Sequence, residues 1–189
     1  MKKSGFNTGL FFALGIFLSS CDGFVPDPID PRLPVYSESG KNQSGAMINN
    51  LPFKDHPRVT VFGSPSNGYI LNQTDTTLIL EFRLSDQNNL NDVKSLHFSI
   101  EKLTPGDWKD MEKDFGKKFS FENPSIKGKI ITYSNDGEIE TLAESGQITV
   151  KHIPGSKAMA GTFGFTAQNA SGKKYEIRFG RYDYFFQRL

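Results

Sequence analysis

Cysteine is almost absent from this chain, and its scarcity limits how the protein can be held together. The 189 residues contain one cysteine, Cys21. An intrachain disulfide is therefore excluded, although small exported domains commonly depend on such bonds. We expect the folded part to be stable through its hydrophobic core alone, which a domain of about 150 residues is large enough to build.

Long hydrophobic runs are also missing. The apolar stretch near the N-terminus, Leu10–Leu18, has nine residues, whereas a membrane-spanning helix needs roughly 20. Lys2 and Lys3 precede this stretch and small residues follow it, an arrangement typical of a cleaved secretory signal. The pattern predicts that residues 1–20 are a signal peptide.

The end of this predicted signal carries a short motif, Leu18-Ser19-Ser20-Cys21. The motif resembles the lipobox of bacterial lipoproteins, in which the cysteine thiol receives a diacylglycerol and the chain is cut directly before that cysteine. The resemblance implies that Cys21 carries fatty chains such as palmitate and attaches the protein to the cell envelope, with the outer membrane as the expected site. Each buried CH₂ contributes about 0.8 kcal/mol, so two or more chains anchor stably. The alternative is an ordinary signal peptide that leaves Cys21 as a free thiol.

Charge of one sign does not predominate. Removal of residues 1–20 leaves 20 basic and 21 acidic residues, a formal charge of −1. Nucleic-acid-binding surfaces and polybasic membrane patches need an excess of Lys and Arg. We therefore expect no nucleic-acid partner and no membrane contact other than the lipid on Cys21, and the sequence carries no signal for an oligomeric state.

Proline is concentrated directly after Cys21. Pro26, Pro28, Pro31 and Pro34 favour extended backbone, and the following residues 36–45 are polar with Gly and Ser. The composition predicts a lipidated cysteine with a flexible tether over residues 21–45, followed by one folded domain over residues 46–189. The alternative is that part of this stretch packs on the domain as an edge strand.

The folded part has the alternation of apolar and polar residues that is typical of β-strands. The clearest run is Leu78, Leu80, Phe82 and Leu84, and similar runs recur between Gly-, Pro- and Asn-containing turns. Alternation with one polar face indicates antiparallel sheets that cover a core on one side. The sequence therefore predicts an all-β domain, an antiparallel β-sandwich or a barrel-like fold of about seven to nine strands.

One helix interrupts the predicted strands. Thr104 is suited to cap it, Pro105 to its first position, and Asp107 to the third position of a capping box. Trp108 and Phe115, together with Met111 between them, share one helical face. We expect a short α-helix over about residues 105–115 that lies across one end of the core.

The C-terminal third contains a set of glycine-rich strand motifs, which are Gly146–Val150, Gly161–Ala167, Asn169, Gly172 and Gly180–Asp183. In these residues the chain resembles a family of small Bacteroidetes lipoproteins that is defined as a domain of unknown function. Members share a GTFxFxA strand and a final strand that ends in a Gly-Arg-aromatic-Asp motif. The resemblance implies an all-β lipoprotein and assigns no catalytic residue.

Motifs for catalysis or metal binding are missing. His56, His97 and His152 are far apart and have no partner at metal-ligand spacing. No G-x-S-x-G nucleophile motif occurs. We therefore expect no catalytic residue, no metal site and no cofactor. A hydrolase is kept as an alternative only because sandwiches and barrels host enzymes in general.

Aromatic residues are the one feature that suggests binding. Trp108, Tyr182, Tyr184 and Phe186 are candidate binding residues, as a platform for sugar rings or a contact for a partner. The alternative is that these rings belong to the core. The segment Tyr182–Leu189 is hydrophobic on both faces, which predicts either a central strand or an exposed edge used for association.

Thr76 is a candidate modification site, because Asp75-Thr76-Thr77 resembles the short O-glycosylation motif of exported Bacteroidetes proteins.

Together these features favour a lipid-anchored envelope lipoprotein that acts as a non-catalytic binding module for an envelope protein or a glycan. The alternative is a structural or assembly component of an outer-membrane complex.

Overall fold

The architecture was obtained as a computed structural model that describes residues 31–55, 69–74, 76–134 and 137–186, with the backbone alone for residues 69–73. Ten strands and one helix occur in these ranges. The strands are β1 (Gln43–Ile48), β2 (Leu51–Asp55), β3 (Tyr69–Gln73), β4 (Thr77–Asp86), β5 (Val93–Glu101), β6 (Lys117–Ser120), β7 (Ile126–Ser134), β8 (Gly137–Ile153), β9 (Ala158–Gln168) and β10 (Lys174–Phe185). The helix α1 spans Pro105–Met111.

Eight of the strands form a closed antiparallel barrel. Its order is β1–β2–β4–β5–β7–β8–β9–β10, and β10 pairs back with β1. Of the other two strands, β3 pairs with β4, and β6 pairs with β8 beyond the β7 ladder. The all-β prediction is confirmed, and between the two predicted architectures the structure is a barrel.

The barrel closes where β2 meets β4. This ladder, called the closure seam below, has three paired positions, Phe53–Asp86, Lys54–Ser85 and Asp55–Leu84. The ladders on either side of the seam are longer, with four pairs between β1 and β2 and nine between β4 and β5. The seam is therefore the narrowest connection in this part of the barrel wall.

Aromatic side chains fill the barrel interior. The alternation seen in the sequence places the apolar residues of β4 inside, and Phe82 is completely buried among them. The Phe82 ring packs against four others with centroid distances of 4.9–5.8 Å; these belong to Phe98, Phe163, Tyr182 and Tyr184. Barrels of eight strands either fill their interior with side chains or hold one small ligand, and the packing around Phe82 is of the first kind.

Helix α1 begins as predicted but ends earlier. Thr104 and Asp107 form the capping box, and Trp108 and Met111 are buried. The helix stops at Met111, so the predicted packing of Phe115 is wrong: its side chain is 92 % exposed. The chain has to turn here into β6, and Gly116 makes this turn with a left-handed φ of +63°. A Cβ at Gly116 would lie 2.5 Å from the Val150 carbonyl oxygen, so only glycine allows this close approach.

Residues 31–42, called the strap below, lie on the outside of the barrel. The Asp183 carboxylate accepts hydrogen bonds from the backbone N–H groups of Ser39, Gly40 and Lys41 at 2.8–3.2 Å. The Arg181 guanidinium donates to the Pro34 carbonyl at 3.1 Å. The predicted flexible tether is therefore corrected from residue 31 onward, because the strap is bonded to β10 and β1 already begins at Gln43. Residues 21–30 lie outside the described part of the chain.

Candidate functional site

The four aromatic residues predicted as a binding platform are buried. Trp108, Tyr182, Tyr184 and Phe186 are each at most 6 % exposed. The Tyr182 and Tyr184 rings point into the barrel, while Trp108 and Phe186 pack edge-on against His152. Rings in these positions cannot stack on a sugar from solution, so the structure corrects this assignment and places all four in the core.

The C-terminal segment is a central strand. β10 pairs with β9 on one side and with β1 on the other. As far as Phe186, the segment is therefore a central strand and not an exposed edge. Its outward residues Arg181 and Asp183 are buried under the strap. Because the strap covers the outer face of β10 and the core covers its inner face, the segment has few exposed polar residues.

Of the two predicted modification sites, the structure describes Thr76 but not Cys21. Thr76 is exposed in the turn before β4, and its carbonyl accepts a hydrogen bond from Leu103 N–H at 2.9 Å. Its glycosylation stays a prediction. Cys21 lies outside the described residues. Across residues 31–186, gaps excepted, no helix has the length and apolar character that a membrane crossing requires.

The histidines that the structure describes lie apart and contact separate carboxylates. His97 is 3.8 Å from Glu81 on the outer face of the barrel, and burial together with the Lys129 ammonium lowers its pKa. His152 is 3.2 Å from Glu112 at the helix end. His56 is outside the described ranges, and among the residues within them no group of three or more His, Cys, Asp or Glu is placed to hold a metal ion.

A half-buried carboxylate lies at the closure seam. Asp55, at the end of β2, accepts hydrogen bonds from the Ser44 backbone N–H at 2.5 Å and from the Ser44 hydroxyl. The Tyr184 hydroxyl lies 2.6 Å from both Asp55 Oδ1 and Ser44 Oγ. Three strands, β1, β2 and β10, thus contribute one residue each to this cluster.

Burial raises the pKa of Asp55 above its ordinary value of 3.8, although the hydrogen bonds from Ser44 and Tyr184 act in the opposite direction. The folded chain therefore holds a proton on Asp55 more tightly than the unfolded chain does. For such a group, the contribution to stability is largest when the carboxyl is protonated and declines as the pH rises from about 4 through the folded-state pKa.

We predict that Asp55→Asn removes this part of the pH dependence. The amide cannot titrate. It also has one acceptor oxygen where the carboxylate has two, so either the Ser44 N–H or a hydroxyl loses its partner, which lowers the free energy of unfolding by about 1–3 kcal/mol. Urea unfolding of both proteins at several pH values between 4 and 7 measures the effect. The stability advantage of the wild type over the variant should grow as the pH falls, and parallel profiles would contradict the assignment.

A cavity of about 580 Å³ lies beside this cluster. Three parts of the chain line it: the strap, the paired strands β1 and β2, and the end of β4 with the turn that follows. The lining residues are Pro34, Gln43, Ser44, Lys54, Asp55, Ser85, Gln87 and Leu90. Six of these eight residues are polar, but most of the surface that the eight present to the cavity is apolar.

A second cavity, of about 450 Å³, lies on another part of the surface. It is lined by Asn49, Glu144, Thr166, Ala167, Gln168, Lys174, Tyr175 and Glu176. Asn49 is already engaged there, because its side chain bonds the backbone of Glu176 at 2.8 Å and of Lys174 at 3.2 Å. The seam cavity is the larger of the two and adjoins the half-buried Asp55, so it is the better candidate site.

The chemistry available at the seam is hydrogen bonding. The Ser44 hydroxyl donates to Asp55, and the histidines among the described residues are paired with Glu81 and Glu112 elsewhere. A serine nucleophile needs an adjacent base that a third group orients. Among the described residues no imidazole lies beside Ser44, whose hydroxyl and backbone N–H are both bonded to Asp55.

The residues of the C-terminal Gly-Arg-aromatic-Asp motif have structural roles. Gly180 admits the Phe163 ring, since a Cβ there would lie 2.2 Å from ring atoms. Arg181 and Asp183 hold the strap, and the Tyr182 hydroxyl donates to the Thr149 carbonyl at 3.1 Å. The motif thus joins the strap to the core.

The chain matches none of the protein-family models, curated proteins or solved structures with which it was compared. Its similarity to the Bacteroidetes lipoprotein family stays a prediction.

Proposed function

We propose that this protein is a lipid-anchored lipoprotein of the cell envelope whose barrel is a non-catalytic binding module for a glycan or an envelope protein. The observation that carries the binding role is the contrast between the filled interior around Phe82 and the cavity of about 580 Å³ at the closure seam. A module of this kind binds at its outer wall rather than inside the barrel.

The strap supports a short connection to the membrane. It is bonded to Arg181 and Asp183, so Pro34 and the residues after it are held against the barrel. The 14 residues from Cys21 to Pro34 are joined by 13 Cα–Cα steps and span at most about 45 Å when fully extended. A lipid on Cys21 would therefore keep the seam cavity, which Pro34 lines, within this distance of the bilayer.

Lipid attachment is tested by growing cells that express the chain with radiolabelled palmitate. The wild type is expected to incorporate the label and to remain with the membrane fraction. Cys21→Ala is expected to lose the label and the processing step, because no thiol remains to be acylated. A variant that stays processed and membrane-bound, or a wild type without label, would contradict the proposal.

A structural or assembly role in an outer-membrane complex is the second candidate, and exposed apolar residues favour it. Phe115 is 92 % exposed beside α1, and Leu142 is 63 % exposed on β8. Affinity purification of the tagged full chain from envelope extracts separates the two roles. Stoichiometric recovery of one complex that Phe115→Ala abolishes would favour assembly, whereas recovery that tolerates this change favours the binding module.

A further inference from the structure

The β7–β8 hairpin extends past the strand that pairs with the rest of β8. β8 begins at Gly137, but β9 pairs with it only from Ala143 onward. Residues 137–142 pair with β7 on one side, and within the described part of the chain no strand pairs with their other side, called the open edge below. Alternate residues of a strand direct their N–H and C=O groups to opposite sides. The open edge is therefore a row of unpaired backbone groups, which is a template for pairing with another chain.

We propose, on the basis of the binding function proposed above, that the open edge pairs with an extended segment of a partner protein in which basic and apolar residues alternate. Addition of a strand to a sheet edge is a recurring mode of peptide recognition, in which backbone hydrogen bonds supply affinity and alternate side chains supply specificity. The occupant is thereby a protein rather than a glycan, and it lies on β8 rather than in the seam cavity.

The side chains along the open edge differ in chemistry between the two faces of the sheet. Glu138 and Glu140 lie on the outer face, which they share with the exposed Tyr133 of β7. Ile139 lies on the inner face with the buried Thr141, and Ile139 is itself 45 % exposed. Side chains of paired strands that share a face are neighbours. An added strand would therefore place its basic side chains beside the two glutamates and its apolar side chains beside Ile139.

The charge of the open edge favours a basic partner. Three exposed glutamates, Glu138, Glu140 and Glu144, lie on this edge or directly after it. The Lys129 ammonium neutralises one of them, since it lies 2.6 Å from Glu140 Oε1. The other two form no ion pair within the described part of the chain. Basic side chains on an added strand would supply the missing positive charges.

The hairpin that carries the open edge is held in place by contacts with neighbouring strands. The Tyr133 hydroxyl is hydrogen-bonded to the Ser95 hydroxyl of β5 at 2.8 Å, and the Arg83 guanidinium of β4 lies 5.3 Å from the centre of the Tyr133 ring. The ion pair between Lys129 and Glu140 joins β7 to β8. A surface that is already ordered loses less conformational entropy when a partner binds, so this hairpin is suited to accept a strand without rearrangement.

A second copy of this chain fits the open edge less well. Antiparallel pairing of two open edges about a two-fold axis would put Glu138 and Glu140 of both chains on the same face of the joined sheet. Like charges on neighbouring strands are destabilising, and charged residues at sheet edges commonly prevent self-association. The glutamates therefore disfavour a homodimer at this edge and leave it open to a basic strand.

The test uses the full chain, purified in detergent micelles, with three capped heptapeptides as probes. The first alternates lysine and valine, the second alternates glutamate and valine, and the third replaces each valine of the first with proline, which keeps the charge but removes backbone donors. Hydrogen–deuterium exchange of the backbone amides is followed by mass spectrometry. We expect the lysine–valine peptide at saturation to slow exchange in residues 137–142 about tenfold and to leave β9, which is paired on both sides, unchanged. The other two peptides should not slow exchange.

Charge reversal provides a matched pair of variants. Glu138→Lys should weaken binding of the lysine–valine peptide about fivefold, because one attraction becomes a repulsion. Asp114→Lys makes the same change of charge at an exposed position in the turn after α1 and should bind as the wild type does. Both side chains are exposed, so both variants should keep the unfolding midpoint of the wild type.

Three results would overturn the inference: exchange in residues 137–142 that the lysine–valine peptide does not slow, equal protection by the proline peptide, or binding that Glu138→Lys leaves unchanged. Protection that rises with protein concentration in the absence of peptide would identify a second copy as the occupant and would also overturn it. If the inference fails while palmitate still enters Cys21 and an envelope protein is recovered with the chain, the proposed function stands and only the open edge is wrong as its binding surface.

Discussion

Replacement of Phe82 with alanine is expected to lower the free energy of unfolding by about 4 kcal/mol, within the range of about 3–5 kcal/mol for large-to-small changes at buried aromatic residues. The Phe82 ring is fully buried and packs against four other rings, the nearest being Tyr182 at 4.9 Å. The variant would leave a cavity at the centre of the barrel. Neighbouring strands cannot close this cavity without breaking their hydrogen-bonded ladders.

Phe115→Ala is the matched control for this change. The same atoms are removed, but the Phe115 side chain is 92 % exposed, so stability should change by no more than about 0.5 kcal/mol. Guanidinium unfolding of both variants and the wild type measures the difference. Equal losses for the two variants would show that Phe82 is not the centre of the core.

Gly161→Ala is expected to lower the free energy of unfolding by about 3 kcal/mol. Overpacking of a core typically costs about 1–3 kcal/mol, and clashes with the backbone lie at the upper end of this range. A Cβ at Gly161 would lie 1.9 Å from the Thr149 carbonyl oxygen and 2.7 Å from the Tyr182 hydroxyl. These two groups are hydrogen-bonded to each other at 3.1 Å. The added methyl group would separate β9 from β8 and break this bond as well.

Gly155→Ala tests whether the loss comes from the clash or from the general effect of replacing glycine. No atom lies within 4 Å of a Cβ at Gly155, so this change should leave stability the same or raise it slightly through a less flexible unfolded chain. Thermal unfolding of both variants gives the comparison. A stable Gly161→Ala protein would mean that β8 and β9 are not packed as described.

Local patterns were sufficient to predict the strands and the start of the helix. The alternation from Leu78 to Leu84 reports which side of a strand faces apolar neighbours, and that property needs no knowledge of the partner strands. The Thr104–Asp107 capping box is likewise complete within four residues. The end of α1 was missed because the chain leaves the helix after Met111 to reach β6, which pairs with the distant strand β8.

The candidate site could not be predicted in the same way. Asp55 and Ser85 stand 30 positions apart, and neither belongs to a motif. They come together only because β2 pairs with β4, a contact that closes the barrel. The burial that raises the pKa of Asp55 also exists only after this closure.

Residue types and their spacing were enough to establish an antiparallel β domain without disulfides and with one capped helix, since these features follow from side-chain periodicity and local hydrogen bonding. The choice of a barrel over a sandwich, the burial of Tyr182 and Tyr184, the docking of the strap and the seam cavity all followed from closure of the sheet. Closure depends on strand register and on contacts between distant segments, and a one-dimensional pattern carries neither.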